Sequence, residues 1–217
     1  MTDCQSPISP GHSWYEDSAG ERPNYPALDG SLDTDVLIIG GGFTGLSAAF
    51  HLAKAGVSSV LLEQHRFGDG ASGRNGGQLG TGQRAWVEEL EVELGFERTK
   101  ILFGIAEDAK AHLLSFAKTH AIDIDYMPGQ LSVVHKPSYL KDYRAHPEAM
   151  ARYGYHHVTY MDAKETAART GSTRFPGGVR DVGTGHIHPL KLLIGTAGAA
   201  KAAGAQLFEK AKGTGLS

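Results

Sequence analysis

Three glycines spaced Gly40-x-Gly42-x-x-Gly45, with a carboxylate, Glu63, 18 residues beyond the last, form the pattern in this chain best suited to holding a phosphate-linked ligand. Each glycine has its own task. Gly40 allows a tight turn out of a strand, Gly42 lets backbone approach a pyrophosphate, and Gly45 lets a helix pack closely on that strand. The helix that follows would offer unpaired N–H groups and a partial positive charge to the phosphates. A carboxylate at the end of the next strand would then accept the ribose hydroxyls. The spacing alone is weak evidence, because this glycine content yields about half a match by chance. A second match is present, Gly68-x-Gly70-x-x-Gly73. Context separates the two. The first follows the apolar run "DVLII" and precedes the small-residue helix pattern "FTGLSAAFHLAKAG"; the second is expected neither to end a strand nor to open a helix. We read Gly40–Gly45 as a dinucleotide turn, with Glu63 as its ribose acceptor.

The stretch "GDGASGRNGGQLGTGQ", Gly68 to Gln83, bears on which dinucleotide. A nicotinamide dehydrogenase passes quickly from its second strand to another helix. A long glycine-rich loop carrying Ser72, Arg74, Asn75 and Gln78 offers backbone donors to a longer ligand, and a flavin dinucleotide is the better fit. Other candidates carry less. His186 and His188 share one face of an extended segment but lack further metal ligands, and helix capping is the expected role there. His156 and His157 read as surface or turn. Trp86, Val87, Leu90 and Leu94 read as helix core. No Ser/His/Asp arrangement is visible, no metal site is expected, and no residue is assigned as catalytic acid or base.

The elements that must place these residues follow from periodicity. Val36–Ile39 reads as a strand, Thr44–Ala55 as a helix stopped by Gly56, and Ser59–Glu63 as a second strand, which together predict a right-handed parallel β-α-β unit. Residues 66–83 are a loop. Ala85–Leu94 and Glu97–His120 read as helices, the second with Ile101, Leu102, Ile105, Ala109, Leu113 and Phe116 on one apolar face. "IDIDYMPGQLSVV" predicts a hairpin turning at Pro128-Gly129. A helix over 137–153 and another in "MDAKETAART" follow, the latter with a capping box from Asp162 to Glu165. Leu190–Ala203 is predicted helical, with Pro189 as its first residue and Gly204 as its stop. "AQLFEK" reads as a strand. Residues 1–34, rich in proline and without a period, read as an extended arm on the surface.

Composition sets bounds. The chain has 217 residues, 41% of them hydrophobic, with 21 basic against 24 acidic residues. Near-balanced charge without a basic block makes nucleic acid an unexpected partner. The most apolar window, 36–60, is broken by glycines, His51 and Lys54, so no membrane span is expected. The single cysteine, Cys4, fits a reducing compartment, and the N-terminus lacks the features of a signal peptide. A cytoplasmic protein is expected.

The segments "YPALDGSLDTDVLIIGGGFTGLSAAFHLAKAG", "GASGRNGGQL", "YMPGQLSVV" and "GHIHPLKLLIGTAGAAKAAGAQLFE" resemble the FAD-dependent amine oxidoreductases of the D-amino-acid-oxidase-like superfamily, from about Trp14 to Glu209. "ASGRNGGQ" is the most specific of these matches. The resemblance implies an α/β fold in which a Rossmann-like FAD-binding domain is interrupted by an α+β substrate domain with a mixed, largely antiparallel sheet. It implies an N-terminal arm over 1–34, FAD-binding segments at 35–120 and 187–217, and part of the substrate domain at 121–186. Gly40, Gly42, Thr44 and Gly45 would hold the FAD pyrophosphate and Glu63 the adenosine ribose. Ser72, Gly73, Arg74, Asn75, Gly76, Gly77 and Gln78 would run past the pyrophosphate toward the flavin ring. The implied reaction removes hydride from a carbon bearing a primary or secondary amine, giving aldehyde, ammonia and peroxide. The implied partner is a small-molecule amine, linear and of the gamma-glutamylated polyamine kind. Members of the family are about twice this long. The resemblance therefore implies a truncated chain with an incomplete FAD-binding domain, active only at full length, or else a non-catalytic fragment.

Overall fold

A computed structural model describes residues 13–215; Cys4 and the first part of the expected arm lie outside the described residues. The chain forms two compact units. One holds the described residues up to Gly77 together with Phe116–Asp125 and those from Ile187 onward; the other holds Gln78–Ser115 and Tyr126–His186. The division after His186 coincides with the expected one, whereas the residues from Gln78 to Ser115 group with the second unit and those from 121 to 125 with the first.

The first unit is built on the β-α-β unit that the periodicity predicts. The apolar run Val36–Ile39 forms β1, Phe43–Lys54 forms α2, and Ser59–Leu62 forms β2 parallel to β1, with Val36 opposite Ser59. Gly56, at φ +77°, ends the helix in the left-handed region that glycine adopts freely. Helix α7, Pro189–Ala202, leads into β7, Gln206–Phe208, which pairs parallel with β2, so the sheet order is β1-β2-β7. Leu46, Ala49, Phe50, Leu61, Leu193, Ala197, Ala200 and Leu207 are buried together where α2 and α7 cover one face of this sheet. Each large aliphatic side chain so buried contributes about 1.5–3 kcal/mol. The opposite face is less covered, and Leu37 and Ile39 are exposed. The arm is not simply extended. Ser13 caps a short helix α1, Trp14–Ser18, its Oγ accepting from the Glu16 N–H, and the Arg22 side chain is only 5% exposed.

The second unit centres on an antiparallel sheet. Strand β3 is Gln78–Leu79, β4 Met127–Val133, β5 Val158–Asp162 and β6 Gly177–His186. The long β6 pairs with β4 along one edge and with β5 and β3 along the other. Helices α3 (Val87–Leu94), α5 (Leu140–Arg152) and α6 (Ala163–Thr170) belong to this unit. Helix α4 spans Phe96–Thr119. Asp162 and Glu165 form the expected capping box on α6. Two expectations fail here. "IDIDYMPGQLSVV" is not a hairpin: β4 runs through Pro128-Gly129 with a register shift between Pro128 and Gln130. Gly129 absorbs the bulge at φ +99°, and Pro128 lies on a strand paired along one edge only, where its missing N–H is tolerated. The apolar face assigned to α4 is also rotated, since Ile101 and Ile105 are exposed while Thr99, Phe103 and Ala117 are buried.

Candidate dinucleotide-binding site

The glycine turn sits where β1 meets α2. Gly40, at φ +102°, makes the left-handed corner that glycine accepts without strain. Gly42 is the extended N-cap residue of α2. A Cβ on Gly45 would run into the carbonyl oxygen of Gly40, so close packing of helix on strand demands glycine there. Thr44 is exposed in the first helical turn, where backbone N–H groups have no carbonyl one turn earlier to receive them.

The second glycine match turns out to share this design. Gly68 is left-handed at φ +96°, Gly70 is the extended N-cap of a 3-10 turn over Ala71–Gly73, and a Cβ on Gly73 would strike the carbonyl oxygen of Gly68. The expectation that this match opens no helix is corrected. The two turns meet at Ser72, whose Oγ accepts from the Phe43 N–H at 3.2 Å. A Cβ on Gly42 would come within 2.9 Å of the same oxygen.

The rest of the loop is held mostly by its own groups. Asn75 Nδ2 donates to the Ser72 carbonyl at 2.9 Å, and its Oδ1 accepts from the Gly77 N–H at 2.9 Å. Gly77 lies so close to Ile187 that a Cβ would strike the Ile187 carbonyl. Arg74 closes the 3-10 turn, and Gly76 faces open space. Gln78 does not continue the loop. It begins β3 in the second unit, opposite His186.

Glu63 stands at the end of β2. Its Oε2 accepts from the Gly41 N–H at 2.7 Å and its Oε1 from the His65 N–H at 2.9 Å. Beside it lies a cavity of about 240 Å³, lined by Ile39, Gly40, Glu63, Gln64, Lys212 and Gly213 among others. Residues beyond β7 form one wall of it, with the Ala211 N–H donating to the Glu63 carbonyl at 2.9 Å.

These features form the physical test of a dinucleotide, and they pass it. A helix N-terminus, a serine hydroxyl over its first amide, a turn without side chains and a carboxylate beside a strand-end cavity lie within one unit. Glu209 was not anticipated. It is 3% exposed, and its Oε1 accepts from the Phe67 N–H at 2.8 Å. A single carboxylate after a short strand gave no signal for this role.

His188 is the N-cap residue of α7, its Nδ1 accepting from the Lys191 N–H at 3.2 Å. Burial and the nearby Lys191 hold its pKa below the ordinary histidine value. His156 and His157 are exposed. No group of three metal-binding side chains occurs among the described residues. Nor is any described helix long and apolar enough to cross a membrane.

The second unit holds a larger cavity, about 400 Å³, lined by Thr81, Arg84, Trp86, Ser132, His146 and Asp181 among others. Trp86 is not helix core; it precedes α3 as N-cap and lies over His146 with ring centres 4.4 Å apart. The Tyr155 hydroxyl donates to Asp181 at 2.6 Å and accepts from Thr81 at 2.9 Å, while Lys110 Nζ donates to Thr81 at 2.6 Å. Burial and the bond to Asp181 raise the Tyr155 pKa far above the usual phenol value, so this hydroxyl stays protonated.

Comparison with known proteins agrees with the geometry. Over 96% of its length the chain is 58% identical to a probable oxidoreductase OrdL of Rhizobium meliloti, of which it covers 49%. It is 36% identical, over 91% of its length, to the gamma-glutamylputrescine oxidoreductase of Escherichia coli, covering 46% of that protein. The chain thus spans about half the length of the curated relatives it matches. Among solved structures, glycine oxidase from Geobacillus kaustophilus superposes with a TM-score of 0.64 at 24% identity, over 82% of this chain and 46% of that one. The L-amino acid deaminase of Proteus myxofaciens gives 0.66 at 20% identity, over 88% of this chain and 42% of that one. Both share the fold. The family model described as FAD dependent oxidoreductase matches residues 35–217, from the residue before β1 through the glycine turns, Glu63 and β7. With that match laid over a turn, a helix terminus and a carboxylate that fit a dinucleotide, the chain belongs to the FAD-dependent oxidoreductases.

Proposed function

We propose that this chain takes part in FAD-dependent oxidative deamination of a linear primary or secondary amine resembling gamma-glutamylputrescine. The observation that carries the substrate class is the 36% identity, along 91% of this chain, with the E. coli gamma-glutamylputrescine oxidoreductase. The cofactor follows from the family. When bound, FAD supplies the two-electron acceptor for the amine carbon's hydride, and the protein's part is binding and orientation.

In this reading the α2 N-terminus, with Gly40, Gly42, Thr44 and Gly45, receives the pyrophosphate. Glu63 takes the adenosine ribose from the cavity beside it. Ser72, Gly73, Arg74, Asn75, Gly76 and Gly77 carry the cradle toward the flavin ring. The first unit is then the FAD-binding part and the second the substrate-binding part. The partner is a small-molecule amine, neither nucleic acid nor membrane enters, and the enzyme works in the cytoplasm.

The test loads FAD onto a protein carrying this chain at the full length of its relatives, removes free flavin, and mixes the complex anaerobically with gamma-glutamylputrescine, putrescine or glycine. Bleaching of the flavin's visible band by the first amine ahead of the other two supports the reading. Retained flavin that no amine bleaches supports the alternative, a chain that holds FAD without turnover.

A further inference from the structure

We propose that the N-terminal arm is a working part of the FAD cradle, with Arg22 and Tyr25 positioning the glycine turn through Phe67; this rests on the reading of that turn as the pyrophosphate site. The family match begins at residue 35, after the arm. The geometry nonetheless runs from the arm to the turn without a gap. A Cβ on Gly41 would collide with the Phe67 ring, so the ring packs directly on the turn's backbone. The turn is also tied by the Gly41 N–H to Glu63 at 2.7 Å. Gly41 is thus held by both a ring and a carboxylate.

Phe67 is itself fixed at every polar point. Its N–H donates to the buried Glu209 at 2.8 Å, and its carbonyl accepts from Arg22 Nη2. Its ring receives the Tyr25 ring edge-on, with centres 4.9 Å apart at 88°. The arm closes the circuit. Glu209 also accepts from the Tyr25 N–H at 3.4 Å, and its own N–H donates to the Pro26 carbonyl at 3.0 Å. Arg22 is 5% exposed and forks from the Phe67 carbonyl to Glu16 at 2.6 Å and Asp69 at 3.0 Å. A planar guanidinium can serve those acceptors at once; a lysine ammonium lacks that fixed fork.

Such a circuit sets the shape of the turn before ligand arrives, so the cost of ordering it is met by the arm and not by FAD binding. Arg22 and Tyr25 need not touch FAD to do this; they are positioning residues.

The test titrates the 217-residue chain and its variants with FAD, and follows each apo protein by circular dichroism and thermal melting. Arg22→Met keeps the apolar stem and removes the fork; FAD affinity should fall about tenfold or more while the apo spectrum is retained. Since Arg22→Met takes the guanidinium from Asp69 and leaves Glu16 only Arg66 at 3.4 Å, it can unfold the arm; Phe67→Leu approaches the same turn with no change of charge and should weaken FAD comparably. Tyr25→Ala should do likewise, and Tyr25→Phe, which restores the ring edge, should recover the affinity. A merely structural arm would lower the apo melting temperature yet leave the folded protein's FAD affinity at the parent level; that result, or parent affinity in Phe67→Leu, overturns the proposal. If the parent chain itself fails to bind FAD, the pyrophosphate reading falls and takes this one with it. Parent binding with unaffected variants removes the arm's role alone.

Discussion

Gly45 and Gly42 belong to one turn but answer to different neighbours. Gly45 faces the Gly40 carbonyl, with Ile38 Cγ2 behind it. Backbone cannot rotate aside, so Gly45→Ala must push α2 off β1 and should cost about 1–3 kcal/mol of stability in an apo melt. Gly42 has an ordinary extended backbone at φ −80° and faces only the Ser72 hydroxyl, a side chain that can turn away. Turning away gives up its bond from the Phe43 N–H, so Gly42→Ala should cost about 0.5–1.5 kcal/mol of apo stability while weakening FAD, and Gly42→Val should abolish flavin retention. Parent-level FAD affinity in Gly42→Ala would remove the pyrophosphate assignment. Glu63 has a double duty that the spacing alone does not reveal, because it also accepts two backbone N–H groups. Glu63→Ala should weaken FAD by about 1.5–3 kcal/mol, the size of a charged hydrogen bond, and should also lower the apo melting temperature. A change in affinity without any change in the melt would show that the carboxylate serves the ribose alone.

Among the elements, α7 carries a pH dependence. The His188 Nδ1 must be unprotonated to accept from Lys191, its Nε2 lies 3.1 Å from Ser18 Oγ, and the Tyr15 ring packs against it edge-on. Burial and Lys191 lower its pKa, against an opposing pull from Asp125. The sign follows from linkage. A histidine whose folded pKa lies below the unfolded value of 6.5 binds protons more readily when unfolded, so its stabilising contribution is complete above that value and shrinks as pH falls toward the folded pKa. His188→Asn keeps an N-cap acceptor and removes this titration. Melts from pH 7.5 down to about pH 5.5 should fall less steeply in the variant than in the parent. Equal slopes would mean that the imidazole titrates alike in both states. The same element scale explains why periodicity predicts no strand over Gly177–His186. β6 is rich in glycine and so resembles a linker, yet Gly178, Gly183 and Gly185 leave no room for a Cβ beside the Ser132 carbonyl, the Tyr155 hydroxyl and the Met127 carbonyl. Glycine is there because neighbours crowd the strand, which is not visible in the strand's own residues.

For the whole molecule, the informative feature is an apolar face left bare. In β1, Leu37 is 47% and Ile39 59% exposed, and β1 is an edge of the parallel sheet among the described residues. An exposed apolar edge strand invites association. The double substitution Leu37→Thr with Ile39→Thr puts β-branched residues, which suit a strand, at both positions while removing apolar surface. It should reduce binding of a hydrophobic dye and slow aggregation of the 217-residue chain, with a stability change below about 0.5 kcal/mol per site. A much larger drop in the melt would show that another surface covers this face in solution.

The β-α-β unit and its turn were legible from residues alone because every part is local. A β-branched run, a glycine at each position that needs one and a carboxylate one strand later need no distant partner to be recognised. The capping box on α6 and the stop glycines are equally local. The partners of those residues were decided by tertiary structure. Gly68–Gly73 reads as a loop in the sequence, and its shared backbone design and its meeting with the first turn at Ser72 emerge only in the tertiary structure. Arg22, Phe67 and Glu209 lie far apart in sequence and have ordinary neighbours, so their buried circuit exists only once the chain closes. Apolar periodicity misassigned α4 for a related reason: which side of a helix is buried depends on what packs against it, and those surfaces come from other parts of the chain.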